Sequence, residues 1–467
     1  MSGGTRFKLF LMMVLEFFIW GAWLPLVFGY LPSIGFSADK PPAWLAAILP
    51  DSIEFLFSEQ SLILNTFPFA AIVGMFFSNQ FADRHFAAER FLAFSHFVGG
   101  LAILGLAYVT DFCRANGLEK YHFAAFFSLM LIHCLLYVPT ISITNSIAFA
   151  QMRDPQKEFG IIRMGGTIGW ILAAWPFVFI KVDWEKVAAA KPQGFVNYLG
   201  TALATSLTGE AALAADRYTF IVAGFASVVL ALFSLILPHT PPKRVANSEA
   251  GSSWAWVDAV KLLAHPFIFI LWVVALIDSF VHNCYFNWTG RFLSSPEVGI
   301  ASNWITPVMS IGQIAEILTM FILGAVLVRL GWKMTLILGV LGHAARFATY
   351  AFFPEYPQLI IAIQVLHGIC YAFFFATVYI FVDEYFPKHA RASAQGLFNL
   401  MILGVGALLA GAICPRLFDQ FVTNGGSNYP GLFKVPMYLA LVAAGLLLLL
   451  FWPPPAAAIV DDRRDRA

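Results

Sequence analysis

The chain has 467 residues, 60% of them apolar and only 12% charged, with 48 phenylalanines and a formal net charge of +1. Soluble domains run about 45–50% apolar and about 25% charged, because something must face water. The composition excludes a soluble globular enzyme, a disordered chain and a nucleic-acid binder with a basic surface; it describes a polytopic membrane protein.

Arg6 and Lys8 lead into an apolar run that lacks a small-residue cleavage site and exceeds a signal-peptide core, so it is read as a retained first span. A span needs about 20 mostly apolar residues. Twelve stretches qualify: 7–30, 61–82, 90–110, 122–150, 160–182, 217–238, 266–292, 303–328, 333–353, 358–386, 392–415 and 436–452. Lipid leaves only helices and closed barrels viable, and runs this long exclude alternating barrel strands, so all twelve are expected to be helices. The polar stretch 239–265, with Pro241, Pro242, Lys243, Arg244 and Gly251, follows the sixth span. It is read as a cytoplasmic linker between an N-terminal half (1–238) and a C-terminal half with a short cytoplasmic tail (266–467). The expected fold is an all-α membrane protein of twelve transmembrane helices in two six-helix halves, the shape of the major facilitator class.

With the N-terminus inside, sixteen of the 28 lysines and arginines fall in cytoplasmic segments and ten outside, two of the outer segments (31–60 and 183–216) being long. The positive-inside rule then puts both termini in the cytoplasm, and the expected location is a cell (inner) membrane. Two short loops support a repeat: Asn79 to Arg84 followed by Arg90 after span 2, and Gly324 to Lys333 after span 8. Both resemble the G-x-x-x-D-R-x-G-x-K loop of major facilitator proteins, with Asn79 in place of the first glycine and Val328 in place of the aspartate. A tight loop needs glycine for its turn, and its cations suit neighbouring helix C-termini. The five cysteines are scattered, with no C-x-x-C and no metal-ligand spacing. No metal or cofactor is expected.

An ionisable group at membrane depth is a functional hypothesis by default. Away from the span ends, only two cations, Arg163 and Arg346, lie within spans. That is too few for a phosphorylated solute, so the expected cargo is neutral and hydrogen-bonding. Polar and aromatic residues recur at helical spacing: Arg163, Thr167 and Trp170 in span 5; Asn283 and Asn287, beside His282, in span 7; Gln313 and Glu316 in span 8; His367 and Tyr371 in span 10; and Glu16, Trp20 and Trp23 in span 1. This is a kit for holding sugar hydroxyls and stacking a planar base. Each has a second reading: amides and hydroxyls often only join helices, His367 can be a packing histidine, and Trp20 and Trp23 suit packing or interfacial anchoring better than ligand contact. Glu316 is the hardest to explain structurally, because a mid-span carboxylate needs a partner or a proton.

The run Tyr137-Val-Pro-Thr140, then Asn145, then Gly160-Ile-Ile-Arg163-Met-Gly-Gly-Thr167-Ile-Gly-Trp170 resembles the nucleoside:proton symporter family of the major facilitator superfamily. So do Trp20-Gly-Ala-Trp23, Gln313-Ile-Ala-Glu316, His367-Gly368 before Tyr371, and Arg391-Ala-Ser-Ala-Gln395-Gly396. The resemblance runs from span 1 to span 11. It implies a nucleoside held in a central cavity by Arg163, Thr167, Trp170, Asn283, Gln313, Glu316, His367 and Tyr371, with Asn287 beside Asn283. Ala372 stands where some members have an aspartate, and the long 183–216 segment is a local departure.

The expected activity is proton-coupled nucleoside uptake by alternating access, with Glu316 as the coupling carboxyl. The expected partners are nucleoside, proton and the lipid bilayer, with no nucleic acid and a monomeric state. The alternatives are a porter for another neutral solute, such as a sugar or glycoside, or a multispanning sensor. A lipid-modifying enzyme would want a convergent catalytic set near one interface, and none is seen.

Overall fold

A computed structural model of the chain describes residues 3–74, 86–152, 155–241, 260–386 and 391–453. Ten helical stretches among them are long and apolar enough to cross a membrane, and an eleventh joins Asp51–Phe57 to Glu59–Val73 through a 42° bend. The longest stretch, Ser302–Phe352, contains two helices parted at Gly331, where the backbone turns to φ +70°. With the bend and the break both counted, the described residues hold twelve apolar segments. We label them α1 (Gly3–Ser33), α2 (Glu59–Val73), α3 (Ala88–Ala115), α4 (His122–Gln151), α5 (Pro155–Ala173), α6 (Tyr218–Ser234) and α7 (Pro266–Leu293). Then come α8 (305–330), α9 (332–352), α10 (Pro357–Tyr385), α11 (Ala394–Thr423) and α12 (Tyr429–Leu450).

The turn at Gly331 is the glycine of the second short loop. A φ of +70° suits a residue without a Cβ, so one residue suffices to end α8 and begin α9. The matching loop at 79–84 and most of the proposed linker, 242–259, lie outside the described residues, as does the tail from 454.

The contacts group into two compact units. The first comprises Met1–Lys243, Phe286–Ile311 and Gly411–Asp419; the second comprises Arg244–Tyr285, Gly312–Ala410 and Gln420–Ala467.

In the first unit, α1 and α5 pack backbone to backbone. A Cβ built on Gly165 would come 2.7 Å from the Phe10 carbonyl oxygen, and one on Gly169 would overlap the Val14 carbonyl. Small residues earn this role where lipid removes the hydrophobic drive between helices and close packing must replace it. On the next face, α3 meets α6 at Gly100 and Ser227, and Gly224 meets Leu104. Phe126, Met130, Ile103 and Phe220 fill the core between them. Apolar rings left on the outside, such as Phe94, Phe97 and Phe225, fit helices that face lipid.

The 183–216 segment is folded. Three short helices, Trp184–Ala190, Phe195–Ala204 and Gly209–Ala214, are tied at their base by Asp183 N–H to the Thr205 carbonyl and Leu207 N–H to the Lys181 carbonyl. Asp183 caps the first helix by accepting from the Lys186 amide at 3.1 Å, and the Lys186 side chain holds its carboxyl below the usual range. A buried ion pair, Lys181–Asp216, locks the segment's two ends. Asn303 and Trp304 donate to the Leu203 carbonyl at 3.1 and 3.0 Å, and the Ser302 hydroxyl donates to the Leu207 carbonyl at 2.6 Å.

In the second unit the same small-residue logic recurs. Gly312 on α8 meets the His367 ring and Gly368 on α10 meets the α8 backbone at Glu316. Gly339 on α9 meets Phe374, and Gly406 on α11 meets Ser279 of α7, whose hydroxyl donates to the Ile402 carbonyl. π-Helical turns at Tyr371–Ala376 in α10 and at Leu400–Val405 in α11 each add a residue to the register there. Such bulges concentrate at functional sites because they re-aim side chains.

Candidate functional site

The first unit gathers Arg163, Thr167 and Trp170 on one face of α5, all half-buried. The glycines that let α5 approach α1 also set this face. A Cβ on Gly166 would come 2.5 Å from Arg163 Nη1, and one on Gly21 would come 3.0 Å from the Trp170 backbone. The Arg163 guanidinium lies over the Phe17 ring at 4.2 Å and forms no ion pair with a carboxylate among the described residues. A cation held by an aromatic face keeps its N–H donors available. Trp170 meets Trp20 edge-on at 5.2 Å, Trp20 stacks on Phe67 at 4.8 Å, and Trp170 meets Phe286 at 6.0 Å. The buried indole nitrogens of Trp20 and Trp23 have no acceptor. Trp20 and Trp23 thus pack inside an aromatic cluster with Phe67, Trp170 and His133.

Behind this face sits a saturated polar core that the spacing argument did not assemble. Glu16 is fully buried and accepts from Thr140 Oγ1 at 2.8 Å, while its other oxygen meets His96 Nε2 at 2.9 Å. His96 Nδ1 meets the Ser227 hydroxyl at 3.0 Å, and Tyr137 donates to the Glu16 carbonyl at 2.7 Å. Every polar group in this set has a partner, as burial demands.

The second unit brings together Asn283, Gln313, Glu316, His367 and Tyr371 with His282. Gln313 is 7% exposed and its buried Oε1 has no donor. An orphaned buried acceptor costs about 1–3 kcal/mol unless something donates to it. Glu316 is half-buried one turn further on. The Asn283 amide donates to the Ser279 carbonyl at 2.9 Å. His282 stacks on His367 at 4.9 Å and approaches Tyr371 at 6.4 Å. Tyr371 opens the π-helical turn of α10. Asn287, on the same face of α7 by spacing, is buried and groups with the first unit.

Beside it lies a fully buried ionisable cluster. Arg346 contacts His367 Nδ1 at 2.8 Å and His343 Nδ1 at 3.0 Å, lies over the Tyr285 ring at 4.3 Å, and shares its surroundings with Asp278. Tyr285 donates to Gln364 Oε1 at 3.1 Å, and Gln364 donates to the Tyr350 hydroxyl at 2.7 Å. Sequence reading singled out Arg346 but missed Asp278 and His343. The signal was present as helical spacing, Asp278/His282 at i, i+4 and His343/Arg346 at i, i+3. Among the described residues no group of His, Cys, Asp and Glu is arranged to hold a metal ion.

The model of the nucleoside H+ symporter family matches residues 3–48, 41–199 and 191–455. The chain belongs to that family. A nucleoside H+ symporter family is one of transporters and not of enzymes, so this chain is a membrane transporter. The chain is 29% identical to the putative nucleoside transporter YegT of Escherichia coli, over 95% of this chain and 92% of that one. It is 25% identical to the nucleoside permease NupG of the same organism, with 92% of each chain covered. The crystal structure of nucleoside transporter NupG superimposes with a TM-score of 0.72 at 22% identity, covering 96% of this chain and all of that one. A D-xylose-proton symporter gives 0.62 at 14% identity, covering 97% of this chain and 99% of that one. The fold is that of the major facilitator superfamily.

Proposed function

We propose that this chain takes up nucleosides in symport with protons, by alternating access between two six-helix halves, 1–238 and 266–467. The family match running from residue 3 to 455 carries this reading. It is supported by what each unit offers: aromatic faces with a free-donor arginine in the first, and an orphaned amide oxygen, a half-buried carboxyl and an imidazole in the second. Arg163, Thr167 and Trp170 are the proposed substrate contacts of the first unit, with Asn287 a further candidate there. Asn283, Gln313, Glu316, His367 and Tyr371 are those of the second. Glu316 is the proposed coupling carboxyl: protonation removes the charge that makes its position costly, and a ligand can bias a two-state carrier only through different affinity for the two states. The relatives point to a bacterial inner membrane, with both termini cytoplasmic by the positive-inside count.

The test is uptake of labelled uridine and adenosine into proteoliposomes, with and without an inward proton gradient. Gradient-driven accumulation is expected for at least one of them. Uptake that ignores the gradient, or that competes with sugars and not with nucleosides, overturns the reading.

A further inference from the structure

The buried cluster of the second unit has its tautomers fixed by chemistry. A guanidinium only donates, so Arg346 Nη1 donates to His367 Nδ1 and Nη2 donates to His343 Nδ1. Each Nδ1 must offer a lone pair. Both rings are therefore neutral and carry their proton on Nε2. For His343 that proton faces Oδ2 of Asp278, 3.6 Å away, beyond hydrogen-bond reach. Asp278 is fully buried, and neither of its oxygens receives a hydrogen bond.

The cluster's charge thus turns on one proton. With Asp278 ionised, it and Arg346 cancel across His343. With Asp278 protonated, the cluster keeps the Arg346 charge alone. The first unit shows the same residue types in a different condition. There Glu16 on α1 and His96 on α3 are saturated by Thr140 and Ser227. Asp278 on α7 and His343 on α9 occupy the first and third helices of the second half, and they are left short of closure.

His282 and Tyr285 face the cluster from α7, Tyr350 from α9, and His367, Cys370 and Tyr371 from α10, while α8 brings Glu316 beside Gly368. On the α11 side, Ser279 bonds a backbone carbonyl. His282 has exposed surface, and it touches both His343 edge-on at 5.6 Å and His367 face-on at 4.9 Å.

We infer that Asp278 is a second proton-binding carboxyl of the transport cycle, acting on His367 through His343 and Arg346. This rests on the proton-coupled reading above. The step is a proton transfer alone: a hydronium ion gives its proton to Oδ2 and leaves as water, and on release the same O–H bond breaks as the proton returns to water. When Asp278 is ionised it draws the His343 Nε2–H and shares the Arg346 charge. When it is protonated, His367 meets that charge undivided.

The experiment uses the full chain in proteoliposomes with labelled uridine and a gradient of one pH unit. Two coupled protons limit accumulation to about 100-fold and one to about tenfold. The parent is expected to approach the two-proton limit. Asp278→Asn and Glu316→Gln should each fall to the one-proton limit while still binding uridine, and the double variant should only equilibrate it. If Asp278→Asn does not fold, Glu316→Gln alone decides: uridine binding that remains pH-dependent in it supports the inference, and pH-independent binding overturns it. A folded Asp278→Asn with the parent's proton count overturns it too. A parent that carries uridine with one proton defeats this inference alone. A parent with no proton-driven nucleoside uptake defeats the reading it rests on, and this inference with it.

Discussion

Gly368 on α10 sits so close to Glu316 on α8 that an added methyl group would overlap the Glu316 amide nitrogen. His367 and Gln313 flank the same contact, with the His367 ring against Gly312. One helix crossing therefore positions a carboxyl, an amide and an imidazole at once.

Gly368→Ala should force α8 and α10 apart, at a cost of about 1–3 kcal/mol for overpacking. The same substitution at Gly324, also on α8, meets nothing within 4 Å and should leave the melting temperature unchanged. Equal melting of the two variants in detergent would show that the crossing does not depend on the missing side chain. Nucleoside binding should weaken with Gly368→Ala, because the groups on both helices shift together.

The outer segment offers a test of a buried pair. Lys181 and Asp216 are 3% and 4% exposed and paired. Removing one partner leaves an uncompensated buried charge, so Lys181→Ala should cost about 3–5 kcal/mol. Replacing both by apolar residues, Lys181→Met with Asp216→Leu, should recover most of that loss. Thermal unfolding of the single and double variants separates this from a surface pair, for which neither change would matter.

The twelve helices were legible because apolar length is a property of the chain in one dimension, and the turn at Gly331 because only glycine relaxes there. What the sequence hid depends on partners far away along it. The packed helices of 183–216 are held by contacts such as that of Asn303 with Leu203, 100 positions apart. Gly165, Gly166 and Gly169 read as ordinary small residues until α1 is placed against them. Asp278 and His343 drew no notice in the sequence, because they come together only as a pair across α7 and α9.

The proposed substrate contacts can be tested without touching the proton. Gln313→Ala removes an amide whose oxygen is buried without a donor, and it should weaken nucleoside binding by about 1–3 kcal/mol, or roughly 5- to 150-fold. Trp170→Ala should weaken it through lost stacking surface, with Trp20 left lacking its edge-on neighbour. Equilibrium binding on purified, folded variants is the measurement. Affinity equal to the parent's in both would assign these residues to helix packing.

Glu316→Gln separates binding from coupling. Glutamine keeps the size and much of the hydrogen-bonding capacity of the carboxyl but cannot exchange a proton. The variant should therefore bind nucleoside and exchange it across the membrane, yet accumulate less of it than the parent under the same proton gradient. The pH dependence of its binding should shrink, since linkage requires a group that titrates. A purely structural carboxyl behaves otherwise, with accumulation intact or the protein misassembled. His367→Gln is the necessary comparison, because a histidine titrates near neutrality when unperturbed and this one touches Arg346. In the structure its Nδ1 is already committed as an acceptor, which leaves it neutral and favours the carboxyl as the carrier. Normal accumulation in Glu316→Gln together with its loss in His367→Gln would move the proton from the carboxyl to the imidazole.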